Sequence, residues 1–259
     1  SVSDDPVTNL AVTRAMLAEA VAQGAQFVLT PEVTNCISTS RTHQRAVLHH
    51  AQDDPTLAAL RADAQALGIW VLIGSLALKT GDADGRFANR SFLIDPQGAI
   101  VAQYDKIHMF DVQVTPTETW RESAAYRPGD QAVLATTPFA KIGMTICYDL
   151  RFPALYQSLA GAGADILTVP SAFSPATGVA HWHSLLRARA IETGCYVIAP
   201  AQTGTHASAA HKTRDTYGHS LGVNPWGEVI VDAGTQAGIH SFEIYIEQSD
   251  SARARLPSL

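Results

Sequence analysis

Apolar residues recur along the chain with two different periods, one typical of helices and one typical of strands. Helical spacing occurs in four segments: 6–23, 55–67, the run that begins at 153, and 180–193. Shorter apolar runs bounded by turn residues occur at 26–30, 69–78, 91–94, 99–104, 133–136, 142–146, 164–169, 195–199, 220–223, 229–231 and 239–246. The pattern therefore predicts an α/β protein.

The order of these elements predicts how they pack. Helices alternate with paired strands rather than with single strands, which indicates two sheets packed together with helices outside, a four-layer α-β-β-α sandwich. Residues 111–131 and 203–217 lack a period and are predicted to be loops. No linker rich in Gly, Ser or Pro divides the chain, so we expect one domain over residues 1–259.

Composition and charge narrow the class of protein. The chain has 259 residues, of which 46% are hydrophobic and 16% charged, enough for a sizeable core. Its net charge of −6 and the lack of a basic stripe argue against a nucleic-acid partner. No apolar run reaches the ~20 residues of a membrane span, and three cysteines without C-x-x-C spacing fit a reducing compartment. We expect a cytoplasmic protein that does not enter a membrane.

One cysteine stands where a nucleophile would stand. The apolar run 142–146 ends at Cys147, and Pro153 then opens a helical pattern, so Cys147 lies at a strand-to-helix turn. Backbone N–H groups near such a turn favour a thiolate. A free cysteine after an apolar strand is more often a small core residue, so the nucleophile hypothesis requires partners elsewhere in the chain.

Three charged residues offer such partners. Glu32 follows the apolar run 26–30, Lys106 follows the strand 99–104, and Glu122 lies in the segment WRESAAYRPG. Charged residues at strand ends are usually solvated. However, active sites of α/β proteins form where the carboxyl ends of strands meet, and the residues after Lys106 are unusually apolar for a surface lysine.

Several phrases together resemble the nitrilase superfamily of carbon-nitrogen hydrolases. They cover nearly the whole chain: TPE (30–32), YDKIHMFD (104–111), WRES and YRPGD (120–130), GMTICYDLRFP (143–153), PSAF (170–173), TGVAHWHSLLRARAIETGCYVIAPAQ (177–202) and YGHSLGVNPWGEVI (217–230). The later phrases look most like the Nit amidase branch. The order Glu, Lys, Glu, Cys, each in its own phrase, makes the resemblance specific.

The resemblance implies a role for each residue. Cys147 is expected to be the nucleophile, Glu32 the general base, Lys106 the oxyanion stabiliser and Glu122 a second acid that positions the base or the substrate. A thiol is mostly protonated at neutral pH, so a base must activate it. Attack on an amide carbonyl forms an oxyanion, which the Lys106 ammonium and the Tyr148 backbone N–H would stabilise before a thioester forms.

Further residues are candidates for substrate binding. Arg151 or Arg187 could pair with a substrate carboxylate, because a guanidinium matches that group bidentately; an ion pair within the protein is the alternative. His181 is expected to line the pocket, and neighbouring Trp182 to pack. No cofactor or metal is expected, since the histidines at 206, 211 and 219 lack zinc-like spacing. Cys36 and Cys195 are expected to be structural.

Two rival readings of Cys147 remain open. In one, His181 oriented by Glu192 activates the thiol, as in a Cys-His-Glu amidotransferase. In the other, the protein is a thiol redox or binding module with Cys36 or Cys195 as the resolving cysteine. Within the amidase reading, the branch resemblance implies a small amide substrate like deaminated glutathione, with ω-amidase action on short α-keto-acid amides as the alternative.

The resemblance also concerns the chain ends and the assembly. Relatives have a β-strand before the region that begins at Ser1 and usually continue past the position of Leu259. Either the numbered chain is trimmed or the first strand is missing, and a sheet without that strand would expose an edge. The family pairs through the helices that follow the nucleophile and PSAF, which implies a homodimer.

Overall fold

The computed structural model describes residues 1–116, 118–208 and 212–258. Within them, six helices have these bounds: α1 Pro6–Ala22, α2 Arg41–Val47, α3 Pro55–Leu67, α4 Pro153–Gly161, α5 Pro175–Thr193 and α6 Glu247–Arg255. Asp5 and Asp54 accept hydrogen bonds from the first turns of α1 and α3, as their Asp-Pro pairs predict. No helix in these ranges is long and apolar enough to span a membrane.

Ten strands form two main sheets. The smaller sheet has the order β1-β2-β3-β4, with bounds Phe27–Leu29, Trp70–Lys79, Phe87–Ile94 and Ile100–Asp105. The larger has the order β14-β13-β10-β9-β8-β7. Its strands, in chain order, are β7 Val133–Thr136, β8 Lys141–Met144, β9 Ile166–Thr168, β10 Tyr196–Ala199, β13 Leu221–Val223 and β14 Val229–Asp232. Parallel pairs occur between β1 and β2 and among β8, β9 and β10.

The two sheets pack face to face, with helices outside them. Leu72 and Leu93 of the smaller sheet join Ile142 and Val197 of the larger in one buried cluster. A second cluster lies between the other face of the smaller sheet and helices α1 and α3. On the far side, α4 and α5 cover the larger sheet. The four-layer α-β-β-α sandwich predicted from the order of the elements is confirmed.

Three predictions about individual segments are wrong. Segments 111–131 and 203–217, predicted as loops, contain two hairpins: β5 Asp111–Thr115 with β6 Glu118–Arg121, and β11 Thr203–His206 with β12 Arg214–Tyr217. Segment 239–246 is predicted as a strand, but its backbone is irregular and no described strand pairs with it. Its apolar side chains, including Ile244 and Ile246, still pack against the core.

The sandwich brings four strand ends to one side of the molecule. Glu32 lies just beyond β1, Lys106 directly follows β4, Cys147 lies just beyond β8, and Ala172 lies just beyond β9. Backbone contacts between these ends, such as Cys147 N–H to the Pro170 carbonyl at 2.9 Å, fix their relative positions. Residues that are far apart in sequence therefore meet at one site.

Candidate active site

Cys147 begins a tight 3₁₀ turn, Cys147–Arg151, that links β8 to α4. Its φ of 50° is a left-handed conformation that costs free energy for a residue with a side chain. Asp149 stabilises the turn, because its carboxylate accepts the Ile146 N–H at 2.9 Å and the Tyr104 hydroxyl at 2.6 Å. Cys147 lines a cavity that opens to the surface.

A network of charged side chains lies beside this thiol. The Lys106 ammonium donates to Glu32 Oε1 at 2.9 Å and to both oxygens of Glu122 at 2.9 Å. The Lys106 and Glu32 side chains are 2% and 6% exposed, so water screens their interaction weakly. The structure thus brings together Glu32, Lys106, Glu122 and Cys147, all four residues that the sequence analysis groups as a site.

Other groups hold Glu32 in one orientation. Oε1 also accepts from Asn89 Nδ2 at 2.8 Å, and Oε2 accepts the Ala172 N–H at 2.7 Å. The Glu32 carbonyl accepts from Gln202 Nε2 at 3.0 Å. With both oxygens engaged and the backbone anchored, the carboxylate has little freedom to rotate, which suits a group that must accept a proton at a fixed place.

The charges shift the pKa values of this network in opposite directions. Burial by itself would raise the pKa of Glu32, but the nearby Lys106 ammonium and Arg214 guanidinium outweigh burial and lower it. Burial by itself would lower the pKa of Lys106, but the Glu122 and Glu32 carboxylates raise it well above its ordinary value. The carboxylate is therefore ionised and the ammonium protonated at neutral pH.

The thiol behaves differently from the sequence-based expectation. Burial, and then the Glu32 carboxylate, raise the pKa of Cys147, although the Lys106 ammonium opposes them. The Ala172 N–H also opposes them, yet the pKa of the thiol remains raised. Cys147 is thus a neutral thiol at rest, and its proton must leave as the sulfur attacks.

The cavity in front of the thiol has a volume of about 270 Å³. Aromatic rings of Phe110, Trp120 and Phe173 form part of its wall. Three arginines are also among the lining residues: Arg214, which is half-buried, and Arg41 and Arg121, which are exposed. Arg214 lies over the Trp120 ring at 5.1 Å and donates to the Ala172 carbonyl at 2.7 Å. The wall combines an apolar surface with groups that bind anions.

The three residues predicted to bind substrate lie at different places relative to the cavity. Arg151 lies over the Phe173 and Tyr148 rings, 5.4 and 5.9 Å from their centroids, at the edge of the cavity. His181 is exposed and contacts Arg151 through Nδ1 at 3.2 Å, so it does not line the cavity. Arg187 is exposed and donates to the Gly227 carbonyl at 2.8 Å, away from the cavity. Neither His181 nor Arg187 is among the described residues that line the cavity.

Neither of the rival arrangements around Cys147, the Cys-His-Glu relay or the pair of redox cysteines, is formed among the described residues of the structure. Glu192 pairs with Arg189 at 2.8 Å rather than with His181, so no Cys-His-Glu relay forms. Cys195 donates to the Ala164 carbonyl at 3.1 Å within the core, and burial raises its pKa. Cys36 does line the cavity, but burial raises the pKa of its thiol to about 12, which makes it a poor resolving cysteine.

Sequence reasoning missed three residues of the site. Asn89 lies within β3 and looks like an ordinary strand residue, and Arg214 belongs to a hairpin that was predicted as a loop. Asp149 stands two residues after Cys147 in the motif CYDLRFP, so its position was a usable signal for a residue that shapes the turn. Of the three, Arg214 changes the chemistry most, because it adds positive charge near Glu32.

A buried thiol next to an ionised carboxylate and an ammonium defines a class of site suited to nucleophilic acyl transfer. Comparison with known proteins agrees with this class. The carbon-nitrogen hydrolase family matches residues 2–254, and the chain belongs to that family. It is an amidase of the nitrilase superfamily, a hydrolase that acts on C–N bonds.

Relatives and solved structures support this assignment. A deaminated glutathione amidase from Yersinia enterocolitica is 42% identical over 80% of this chain and 71% of that protein. One from Synechocystis is 38% identical over 97% of this chain and 91% of that protein. The NitFhit protein of C. elegans superposes with a TM-score of 0.89 at 32% identity, over 99% of this chain; the chain spans 61% of that protein. Nit3 of Saccharomyces cerevisiae superposes with a TM-score of 0.85 at 27% identity, over 99% and 91% of the two chains.

Proposed function

We propose that the protein hydrolyses the amide bond of a small, carboxylate-bearing substrate through a thioester on Cys147. The observation that carries this proposal is the buried network in which Lys106 bridges Glu32 and Glu122 beside the thiol. One carboxylate is held for proton transfer, and one ammonium is held where negative charge would develop. These are the two kinds of assistance that acyl transfer needs.

In the acylation step, Glu32 first accepts a proton and then donates it. As the Cys147 sulfur bonds to the carbonyl carbon, the thiol proton passes to Glu32. The oxyanion that forms is stabilised by the Lys106 ammonium and the Tyr148 backbone N–H, and losing one such donor typically costs about 10²- to 10³-fold in rate. The C–N bond then breaks as Glu32 gives its proton to the leaving amine.

Hydrolysis of the thioester uses the same groups again. Glu32 takes a proton from water as the water oxygen bonds to the carbonyl carbon. The C–S bond then breaks, the carboxylic acid leaves, and the proton returns to the Cys147 sulfur. Glu122 holds Lys106 through two hydrogen bonds and is itself oriented by the Phe110 N–H at 2.6 Å. Its role is to position the ammonium.

The substrate class follows from the charge of the cavity wall. Glu32 and Glu122 share Lys106, whereas Arg41, Arg121 and Arg214 add three further positive charges. An anionic substrate balances them, and deaminated glutathione is the substrate named for several relatives. The volume of about 270 Å³ is small, which favours short α-keto-acid amides, the ω-amidase substrates, as the second candidate.

A substrate panel tests this proposal. It comprises deaminated glutathione, α-ketoglutaramate, glutamine and an uncharged amide, with the released carboxylic acid as the readout. We expect the highest kcat/KM with deaminated glutathione. Highest activity with α-ketoglutaramate would support the second candidate, and no activity with any amide would contradict the proposed function.

A variant at Arg214 tests the charge argument. Arg214→Gln should raise KM for the carboxylate-bearing substrates by about 10-fold or more, because a charged hydrogen bond contributes about 1.5–3 kcal/mol. The KM for the uncharged amide should stay the same. Arg45→Gln, at an exposed arginine outside the cavity wall, is the matched control. An equal rise in KM for charged and uncharged amides would contradict a role in carboxylate binding.

Assembly and location complete the proposal. We expect the chain to act as one domain and to form a homodimer through the α5 face. Ile191 on α5 and nearby Trp226 are 51% and 43% exposed, which supports this face. If Ile191→Glu still sediments as a dimer, that result would argue against a dimer formed through the α5 face.

All three cysteines are free and buried, which suits a reducing cytoplasm.

A further inference from the structure

Three side chains that the amidase site does not use converge at another place on the surface. His183 lies in α5, His219 directly precedes the region of β13, and Asp232 ends β14. His183 Nε2 is 2.9 Å from Asp232 Oδ2, and His219 Nδ1 is 2.9 Å from Asp232 Oδ1. All three donor atoms lie within 4.8 Å of one another.

We propose that His183, His219 and Asp232 bind a divalent transition-metal ion, with Zn²⁺ as the best match. Two imidazoles and one carboxylate form a ligand set that zinc prefers, with a fourth position left for water. Zinc–ligand bonds of about 2.0–2.1 Å place the donor atoms of a tetrahedron about 3.3 Å apart. The two imidazole-to-carboxylate separations of 2.9 Å must lengthen slightly to admit the ion, and all three donor atoms already lie within 4.8 Å of one another.

The surroundings hold these ligands in place. Asp232 Oδ1 accepts the Gly234 N–H at 2.9 Å, and the Trp182 indole N–H donates to the His219 carbonyl at 2.8 Å. The His219 ring stacks on Tyr217, with centroids 4.6 Å apart. Metal sites depend on such outer contacts, which orient the ligands and reduce the entropy lost on binding.

The cluster is partly exposed in the single chain and is linked to the catalytic cavity by a backbone hydrogen bond. The three side chains are 35%, 23% and 34% exposed, so an ion can reach them. Tyr217, on which His219 stacks, donates its backbone N–H to the Phe173 carbonyl at 2.9 Å, and Phe173 lines the catalytic cavity. An ion that joins α5 to β14 should therefore stabilise the wall of that cavity as well as the fold.

Spacing along the sequence does not reveal this site. His183 and Asp232 are 49 residues apart, and His219 and Asp232 are 13 residues apart. The spacing of His206, His211 and His219 predicts no metal site, whereas the proposed cluster combines His219 with residues of two other segments. His206 is buried and its ring is hydrogen-bonded to Val2 and Thr216, and His211 lies outside the described residues.

Equilibrium dialysis of the full chain against Zn²⁺, followed by metal analysis, tests the proposal. We expect one equivalent of zinc per chain at low micromolar free metal and a higher melting temperature in its presence. Co²⁺ substitution should give the strong visible absorption of a tetrahedral ion.

Variants identify the ligands. His183→Gln and Asp232→Asn should each lower zinc affinity at least 10-fold, and their melting temperatures should no longer respond to zinc. The control His240→Gln removes an exposed histidine that lies outside the cluster and should bind like the wild type. Absence of zinc binding by the wild type, or binding unchanged in both cluster variants, would overturn the proposal without reference to amidase activity.

Discussion

At the scale of single residues, Glu32 connects most of the proposed chemistry. Its carboxylate is buried, accepts hydrogen bonds from Lys106, Asn89 and the Ala172 N–H, and lies against the thiol. These contacts keep it charged and fixed in direction. The carboxylate is already positioned to accept a proton before the substrate binds, so little reorganisation is needed during the reaction.

Replacing Glu32 with Gln should lower kcat by about 10²- to 10⁴-fold, the usual contribution of a general base. In the wild type, the acid limb of the kcat/KM profile should have its midpoint below pH 4.5, the ordinary pKa of a glutamate, because the pKa of Glu32 is lowered. The base works only when deprotonated, so activity is retained above that pH and lost as pH falls through the lowered pKa. Steady-state rates across pH measure both effects.

Glu192→Gln provides the matched control for Glu32→Gln. Glu192 pairs with Arg189 and takes no part in the network around the thiol, so this variant should keep near-normal turnover. Near-normal turnover of Glu32→Gln together with a severe loss in Glu192→Gln would instead support activation of Cys147 by a histidine.

The residues of the site differ in how far sequence could predict them. Cys147, Glu32 and Lys106 follow apolar strands, and this position is visible in the sequence. Proximity to Cys147 in sequence makes Arg151 a candidate for substrate binding, yet it is Arg214, on a distant hairpin, that lines the cavity and acts on the Glu32 carboxylate. Pairing between distant segments determines such contacts, and a single sequence does not show it.

At the scale of secondary-structure elements, the 3₁₀ turn at residues 147–151 sets the position of the nucleophile. Asp149 is fully buried and joins this turn to the segment after β4, through the His108 N–H at 3.0 Å and His108 Nδ1 at 2.7 Å. It also accepts from Tyr104 and Ile146. One carboxylate therefore links the elements that carry Cys147 and Lys106.

Asp149→Asn should lower the free energy of unfolding by about 2–3 kcal/mol. The amide cannot accept every one of these hydrogen bonds, and bonds to charged groups contribute about 1.5–3 kcal/mol each. We also expect a lower kcat, since the turn would shift. Urea denaturation measures the stability. Asp63→Asn, which breaks the ion pair with Arg14, is the control and should cost less than about 1 kcal/mol. Equal losses in the two variants would contradict the role given to Asp149.

The elements that sequence predicted correctly have clear caps or continuous apolar runs. Helices α1 and α3 begin at Asp-Pro caps, and strands β2, β9 and β10 are almost wholly buried runs. The hairpin strands β5 and β12 are largely polar and partly exposed, so backbone pairing defines them rather than an apolar pattern. Segment 239–246 has the opposite property, because its apolar residues are packed while no described strand pairs with its backbone.

At the scale of the whole molecule, His206 connects the start of the chain to the β11–β12 hairpin. Its ring contacts the Val2 carbonyl at 2.6 Å and the Thr216 hydroxyl at 2.7 Å. Burial lowers the pKa of His206 to about 4. The folded protein thus holds this ring neutral at pH values where the unfolded chain, with a histidine pKa near 6.5, binds a proton.

His206 should therefore make stability depend on pH. Because the unfolded state binds more protons between about pH 6.5 and 4, the free energy of unfolding should decrease as pH falls through this range, by at most about 1.4 kcal/mol per pH unit from this group. His206→Asn should be less stable at pH 7 but should lose less stability on acidification. Denaturant titrations at several pH values measure the slopes, and equal slopes for the two proteins would contradict the prediction.

The formation of an acyl-enzyme on Cys147 is the claim that most of the proposed function depends on. Rapid acid quenching of the protein with an amide substrate, followed by mass spectrometry of the intact chain and of its peptides, tests it most directly. We predict that the mass increases by that of the acyl group, on Cys147, in the wild type, and that Cys147→Ala shows neither adduct nor turnover. Turnover by Cys147→Ala at the wild-type rate would contradict a covalent mechanism.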